Sequence, residues 1–216
     1  MFSTVFINFR LLELIAYGLY MEKVCKLRMV FNKNNGVLTS KDLRLMGYNY
    51  YSINKLLDEQ VIERISRGKY MLHESDEDEY FLVQQIIPTG ILCLLSAATI
   101  YNYTTFIPHD YHLAIKSNYS PSLPEYPPVK LYYWRKNQYS LGVTTRSVNG
   151  STVRIYDKEK TVCDFLKFRN KLDPAIVKEV VKAYIQDNER DLVRLKAYSK
   201  ALRIETVLRN YFEILL

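Results

Sequence analysis

The sequence predicts an α+β protein, with an N-terminal winged helix-turn-helix followed by a mixed α/β domain with a helical C-terminal end. Three observations lead to this class. Two short helical segments joined at Gly47 precede two β-branched segments that flank Gly68, which is the order of a helix-turn-helix and its wing. An acidic run over residues 73–79 then changes the composition abruptly. Beyond it, strand-like segments give way to helical periodicity from Asp157 onward.

Each of the first two helices has its own start signal. Thr39 is a typical N-cap residue with Asp42 three positions later, and this pair predicts a helix over residues 40–46. A glycine ends that helix, because glycine readily adopts the left-handed conformation that follows a helix end. Asn49 then supplies a second N-cap for a helix over residues 50–58.

The second helix has the pattern of a helix that enters a DNA groove. Ile53, Leu56 and Leu57 form one apolar stripe, so the polar side chains are expected on the opposite face. The residues expected to contact DNA from the two helices are Ser40, Lys41, Asn49, Tyr51, Ser52, Asn54 and Lys55.

The segments 61–65 and 69–72 predict a β-hairpin that would form the wing. Arg64, Arg67 and Lys69 place cations at or near its tip. A DNA duplex carries one phosphate charge per roughly 1.7 Å of its axis, so these cations are expected to contact phosphates. The alternative is a protein-binding module, since winged helices also serve that purpose; the basic tip favours double-stranded DNA.

The whole segment G-V-L-T-S-K-D-L-R-L-M-G-Y-N-Y-Y-S-I-N-K-L-L-D-E-Q-V-I-E-R-I-S-R-G-K-Y-M-L resembles the N-terminal domain of the AbiE-type abortive-infection antitoxins. These proteins are the regulatory partners in bacterial type IV toxin-antitoxin operons. Three later blocks, residues 88–98, 108–115 and 156–164, also resemble this family, and the third is the most specific. The residues of that block to which the resemblance assigns an antitoxin function are Tyr156, Asp157, Glu159, Lys160, Thr161 and Asp164.

The resemblance implies a division of labour between the two domains. The winged domain would bind operator repeats in its own promoter and repress the operon. The C-terminal domain would counter a nucleotidyltransferase toxin encoded beside it, as part of a phage-defence system. In the type IV arrangement, antitoxin and toxin need not bind each other.

The domain boundaries follow the composition. Residues 21–75 are predicted to form the winged helix-turn-helix DNA-binding domain and residues 76–216 the α/β antitoxin domain. The acidic run could mark their boundary, or begin a helix that continues through residues 80–87, or do both. Residues 1–20 form an extension that is either an upstream start read in error or an added helix. They resemble neither a signal peptide nor a membrane span, so we expect a cytoplasmic protein without a membrane partner.

The second domain mixes strand-like and helical segments. The expected strands cover residues 111–115, 129–134 and 153–156. The expected helices cover residues 92–103, 158–168, 174–186, 189–199 and 202–215.

The 216 residues have a formal charge of +7 and a pI near 9.1, which favours a polyanionic partner. Three widely separated cysteines, without a Cys-x-x-Cys pair, indicate free thiols in a reducing compartment rather than a zinc site.

The only tight acidic cluster with a lysine after a predicted strand lies in the block 156–164. Lys160 and Asp164 are four residues apart and would face each other on a helix, whereas Asp157 and Glu159 would point in different directions. A capped helix with an ion pair explains this cluster without catalysis. The sequence also lacks a phosphate-binding loop and a dinucleotide fingerprint, so we predict no catalytic residue, no metal site and no cofactor. The alternatives are a protein-interaction scaffold and a metal-dependent nuclease or nucleic-acid-processing enzyme that uses Asp157 and Glu159, with the winged domain as its targeting module.

Overall fold

The computed structural model describes residues 18, 20–34, 36–73, 78–124 and 126–215. The chain divides into two compact units, Met1–Glu77 and Asp78–Leu216. The expectations for the N-terminal extension and for the centre of the acidic run fall on residues 1–17, 19 and 74–77, which lie outside the described residues. No helix in the described part of the chain is long and apolar enough to cross a membrane.

The first unit is a winged helix-turn-helix. Its elements are α1 (residues 20–33), β1 (Val37–Thr39), α2 (Ser40–Leu45), α3 (Tyr50–Asp58), β2 (Ile62–Ser66) and β3 (Lys69–Leu72). The three strands form an antiparallel sheet in the order β1-β3-β2. Leu27 and Phe31 of α1 pack with Leu43, Ile53 and Leu56 of the next two helices to form a buried core.

The predicted start signals of α2 and α3 are confirmed. Thr39 Oγ1 accepts a hydrogen bond from the backbone N–H of Asp42 at 3.2 Å, and Asp42 Oδ2 accepts one from the backbone N–H of Thr39 at 2.8 Å. Asn49 and Ser52 form the same reciprocal pair at the start of α3. Gly47 follows α2 with φ = +89°, in the left-handed region that glycine favours.

The second unit contains a five-stranded mixed sheet in the order β6-β5-β4-β8-β7. Its elements are α4 (Glu79–Ile86), β4 (Ile91–Leu92), α5 (Leu94–Ile100), β5 (Tyr111–Lys116), β6 (Val129–Trp134), α6 (Lys136–Tyr139), β7 (Val143–Val148), β8 (Ser151–Tyr156), α7 (Lys158–Phe168), α8 (Pro174–Gln186), α9 (Leu192–Ala201) and α10 (Glu205–Leu215). The pairs β5–β6 and β4–β8 are parallel, and the other two are antiparallel. Helix α7 contacts α5, α8 and α9, and eight of its eleven residues are buried, so it is the central helix of this unit.

The fold class is confirmed, and several details of the second unit differ from the expectation, among them the short helix α6, which was not predicted. The helix expected over 92–103 begins only at Leu94, because Ile91–Leu92 forms the strand β4 between β5 and β8. The strand β7 was not predicted, because five of its six side chains are exposed and the sequence does not alternate. Helices α9 and α10 each begin three residues later than expected, at Leu192 and Glu205.

The three cysteines are free thiols. Cys25 is exposed in the first unit, whereas Cys93 and Cys163 are buried in the second. Burial raises the pKa of both buried thiols.

A buried ion pair lies at the centre of the second unit. The Lys160 ammonium contacts Asp164 Oδ1 at 2.5 Å, and both side chains are completely buried. The ammonium also lies 4.0 Å from the ring centroid of Tyr156 and 4.1 Å from that of Trp134. These aromatic faces add cation–π attraction to a charge that has lost its water. The prediction that Lys160 and Asp164 face each other on one helix is confirmed.

Three further observations describe the surroundings of this ion pair. Gly142 has φ = +68°, and a Cβ atom there would come within 2.6 Å of the Lys160 Cβ. Burial raises the pKa of Asp164 to about 6, although Lys160 opposes this shift. Asp164 Oδ2 is buried and has no hydrogen-bond partner among the described residues.

We predict that Lys160→Met lowers the free energy of unfolding of the second unit by roughly 3–5 kcal/mol at pH 8, because it leaves the Asp164 carboxylate buried and unpaired. A carboxyl group whose pKa is raised in the folded state destabilises that state above this pKa and not below its unfolded pKa. The loss should therefore shrink at pH 5. Denaturant unfolding at the two pH values measures it.

Lys160→Met combined with Asp164→Leu is the matched control, since it removes both charges. This double variant should recover much of the lost stability. Additive losses from the two substitutions would contradict the assigned pairing.

Candidate functional site

The first candidate site is the surface where the start of α2 meets the wing. The backbone N–H of Ser40 donates a hydrogen bond to the Gly68 carbonyl at 2.8 Å, and this contact joins the two elements. The neighbouring side chains Lys41 and Arg67 are both exposed. The fold therefore brings into contact two chain segments that each carry an exposed cation, although these cations are 26 positions apart in the sequence.

The three predicted wing cations differ in their surroundings. Arg67 is exposed in the turn between β2 and β3. Arg64 is exposed, and its guanidinium lies 5.7 Å from the ring centroid of Tyr70, which faces it across the hairpin on β3. Lys69 is only partly exposed, and burial lowers the pKa of its ammonium group. Among these three, Arg67 is the side chain best placed to meet a phosphate.

The residues predicted on α3 also divide into two groups. Tyr51 is 80% exposed, Lys55 is exposed and lies 3.7 Å from Glu59, and Asn54 is half-buried. By contrast, Asn49 Oδ1 accepts the backbone N–H of Ser52 at 2.9 Å, and the backbone N–H of Asn49 donates to Ser52 Oγ at 2.9 Å. The side chains of Asn49 and Ser52 are therefore engaged in the helix cap. Those of Tyr51, Asn54 and Lys55 are more available for contacts with DNA bases.

Two residues of this surface were missed in the sequence analysis. Arg44 and Tyr50 line a cleft of about 480 Å³ between α2 and α3. Tyr50 is 79% exposed and Arg44 is exposed as well. The missed signal was an aromatic residue directly after the N-cap Asn49, since an exposed tyrosine at a helix start does not contribute to the core.

The second candidate site is the block 156–164 at the start of α7, and the structure places most of it in the core. Asp157 is partly exposed. The other members with an expected antitoxin role are buried: Tyr156, Glu159, Lys160, Thr161 and Asp164. A buried side chain cannot bind a partner directly, so this block acts on the unit through its packing.

The polar atoms of the block are bonded mainly within the unit. Asp157 Oδ1 accepts the backbone N–H of Lys160 at 2.8 Å and thereby caps α7, while burial raises the pKa of Asp157. Glu159 Oε1 accepts hydrogen bonds from the Tyr184 hydroxyl at 3.1 Å and from the backbone N–H of Asp191 at 3.0 Å. These bonds join the start of α7 to α8 and to the start of α9.

The expectation that Asp157 and Glu159 point in different directions is wrong. The Arg194 guanidinium lies 4.0 Å from Asp157 Oδ2 and 3.8 Å from Glu159 Oε2, so both carboxylates face the same cation. In the described part of the chain, no group of three or more His, Cys, Asp or Glu side chains is arranged to hold a metal ion. The nuclease alternative therefore gains no support from this geometry.

Comparison with known proteins supports the regulatory interpretation. Residues 26–73 match the model of a family described as "Transcriptional regulator, AbiEi antitoxin". This match confirms the resemblance of the winged unit to the AbiE-type antitoxins, which are regulators rather than enzymes. The crystal structure of the RV2827C protein from Mycobacterium tuberculosis has a similar fold, with a TM-score of 0.61, 13% sequence identity, and coverage of 82% of this chain and 72% of that chain. No curated protein matches the sequence.

We predict that Asn49→Ala lowers the stability of the winged unit by about 1 kcal/mol, because it removes the N-cap of α3. Asn54→Ala, on the same helix, is the matched control and should change stability by less than about 0.5 kcal/mol. Thermal unfolding measures both variants. Equal losses would contradict the division of α3 into capping and surface residues.

Proposed function

We propose that the chain is a DNA-binding autorepressor and antitoxin that counters a nucleotidyltransferase toxin encoded beside it. The observation that carries the DNA-binding part is the hydrogen bond that joins the start of α2 to the wing, since the exposed cations Lys41 and Arg67 directly adjoin its two residues in the sequence. The family match over residues 26–73 supports it, since that family comprises transcriptional regulators. In this role the protein acts in the cytoplasm on repeats in its own promoter.

The contacts with DNA divide by chemistry. Lys41 and Arg67 would meet phosphates, which fix the position of the protein on the duplex but carry no base sequence. Tyr51, Asn54 and Lys55 would face base edges from α3. An asparagine amide can pair in bidentate fashion with adenine, at roughly 1–3 kcal/mol of discrimination per pair.

The antitoxin activity is assigned to the second unit. Because the block 156–164 is mostly buried, we assign it a positioning role: it fixes α7 against the sheet, α8 and α9. The surface that counters the toxin would then be formed by the exposed residues that these elements carry. Direct binding of the toxin is not required in this proposal.

We predict that Lys41→Ala combined with Arg67→Ala weakens binding to all duplex sequences. Removing two phosphate contacts should also reduce the slope of log affinity against log salt by about 1.8. Electrophoretic mobility shifts with operator and random DNA, at several salt concentrations, measure both effects. Lys23→Ala with Lys33→Ala on α1 is the charge-matched control. If both double variants show the same slope of log affinity against log salt, the wing does not contact phosphates as proposed.

A cell-based experiment separates the two activities in the full-length chain. With expression from an independent promoter, Lys41→Ala with Arg67→Ala should abolish repression of a reporter and still rescue cells from the neighbouring toxin. Lys160→Met should lose rescue, and the addition of Asp164→Leu should restore it together with stability. Failure of the wild-type protein to rescue cells at matched expression would overturn the antitoxin assignment. Repression of the reporter tests the DNA-binding part separately, whatever the result of the rescue experiment.

A further inference from the structure

A basic cleft of about 720 Å³ lies in the second unit, and none of the residues 156–164 lines it. Four cationic side chains line it, and its lining contains no acid. They come from three places in the chain: Arg135 and Lys136 at the start of α6, Lys167 near the end of α7, and Arg203 between α9 and α10. Four like charges around one concavity repel one another, and that repulsion is relieved when an anion binds.

One of the four cations has a structural role. Lys167 Nζ donates a hydrogen bond to the Leu202 carbonyl at 3.2 Å, and so satisfies a carbonyl at the end of α9. Arg135, Lys136 and Arg203 are exposed, and none of them forms an ion pair with another described residue. Their presence around the cleft is therefore not explained by partners in the fold.

The backbone positions of these three residues are also unfavourable. Two of the positions disfavour a positive charge, and the third disfavours any side chain. Arg135 is the N-cap and Lys136 the first residue of α6, and positive charge at a helix start is disfavoured. Arg203 has φ = +58°, in the left-handed region. Its N–H donates to the Lys200 carbonyl and the next N–H donates to the Ser199 carbonyl, which is the helix-ending motif in which glycine is the usual residue.

We propose that this cleft binds a nucleoside polyphosphate. The guanidinium groups of Arg135 and Arg203 have the planar donor geometry that holds phosphate oxygens in bidentate fashion, and Lys136 adds a point charge. The amide side chains of Asn137 and Gln138 line the same cleft and offer both donors and acceptors to the edge of a base. The cleft volume lies in the range of small-molecule sites, roughly 300–1,000 Å³.

A small phosphate ligand fits this arrangement better than a duplex does. A duplex-binding surface usually carries its cations as a stripe along one face. Here the cations surround a concavity instead. A mononucleotide enters such a concavity and brings its charge close to all four cations. Duplex binding by this cleft is therefore a separate outcome of the test.

The single tryptophan of the chain provides a probe. Trp134 precedes Arg135, and its ring centroid lies 5.9 Å from Lys167 Nζ. Full-length protein is titrated with ATP, inorganic tripolyphosphate and adenosine at about 0.15 M salt, with tryptophan fluorescence and calorimetry as readouts. We expect saturable binding of ATP and tripolyphosphate and none of adenosine. Absence of saturable ATP binding would overturn the proposal.

Two cleft variants and one control complete the test. Arg135→Ala with Lys136→Ala should weaken ATP binding about tenfold or more, which corresponds to about 1.4 kcal/mol per tenfold. Arg203→Gly should weaken ATP binding as well and yet raise the melting temperature, because glycine suits the left-handed position. Lys178→Ala with Lys182→Ala, on the exposed side of α8, is the charge-matched control and should leave ATP affinity unchanged.

The outcomes that contradict the proposal are distinct. Equal ATP affinity in the cleft variants and wild type would remove the cleft as the binding site. Equal losses in the cleft variants and the α8 control would show attraction by net charge alone. A cleft variant that loses affinity for random duplex DNA and not for ATP would identify the cleft as a contact with the DNA backbone, and would overturn the nucleotide assignment.

Discussion

A lysine ammonium held between two aromatic rings and one carboxylate is the interaction on which the second unit depends. Removing both charges of Lys160 and Asp164 from water costs several kcal/mol per ion, and the attraction between them offsets this cost only when the geometry is good. The rings of Tyr156 and Trp134 come from β8 and β6, so the ammonium joins α7 to two strands of the sheet. A shift of α7 by one residue would carry both charges away from these rings, and the aromatic contacts of the ammonium therefore fix the register of the central helix on the sheet.

The elements predicted correctly from sequence are those with local signals. Thr39, Asn49, Asp157 and Pro174 each mark a helix start within a few residues, and the hairpin of the wing is marked by β-branched segments around a glycine. Two of the strands that were missed are defined by distant partners. Val37–Thr39 and Ile91–Leu92 are too short to show a period, and they become strands only because β3, β5 and β8 pair with them.

In the candidate sites too, contacts within one helix were predicted, whereas contacts between distant segments were not. Sequence spacing predicted that Lys160 and Asp164 would pair, because both lie on one helix. It did not predict that Asp157 and Glu159 would share Arg194, which comes from another helix. It also could not show that the cap of α3 uses Asn49 and Ser52, since residues that favour a helix start are the same polar types that favour base contacts.

The distribution of thiols gives the two units different chemical reactivity. The thiolate is the nucleophilic form of cysteine, and a buried thiol with a raised pKa rarely adopts it. An alkylating or oxidising reagent therefore meets Cys25 of the winged unit in the folded chain, while Cys93 and Cys163 react only when the second unit opens. Because Cys93 and Cys163 are both buried in the second unit, their modification reports opening of the C-terminal core. Modification of the exposed Cys25 reports separately on the DNA-binding unit.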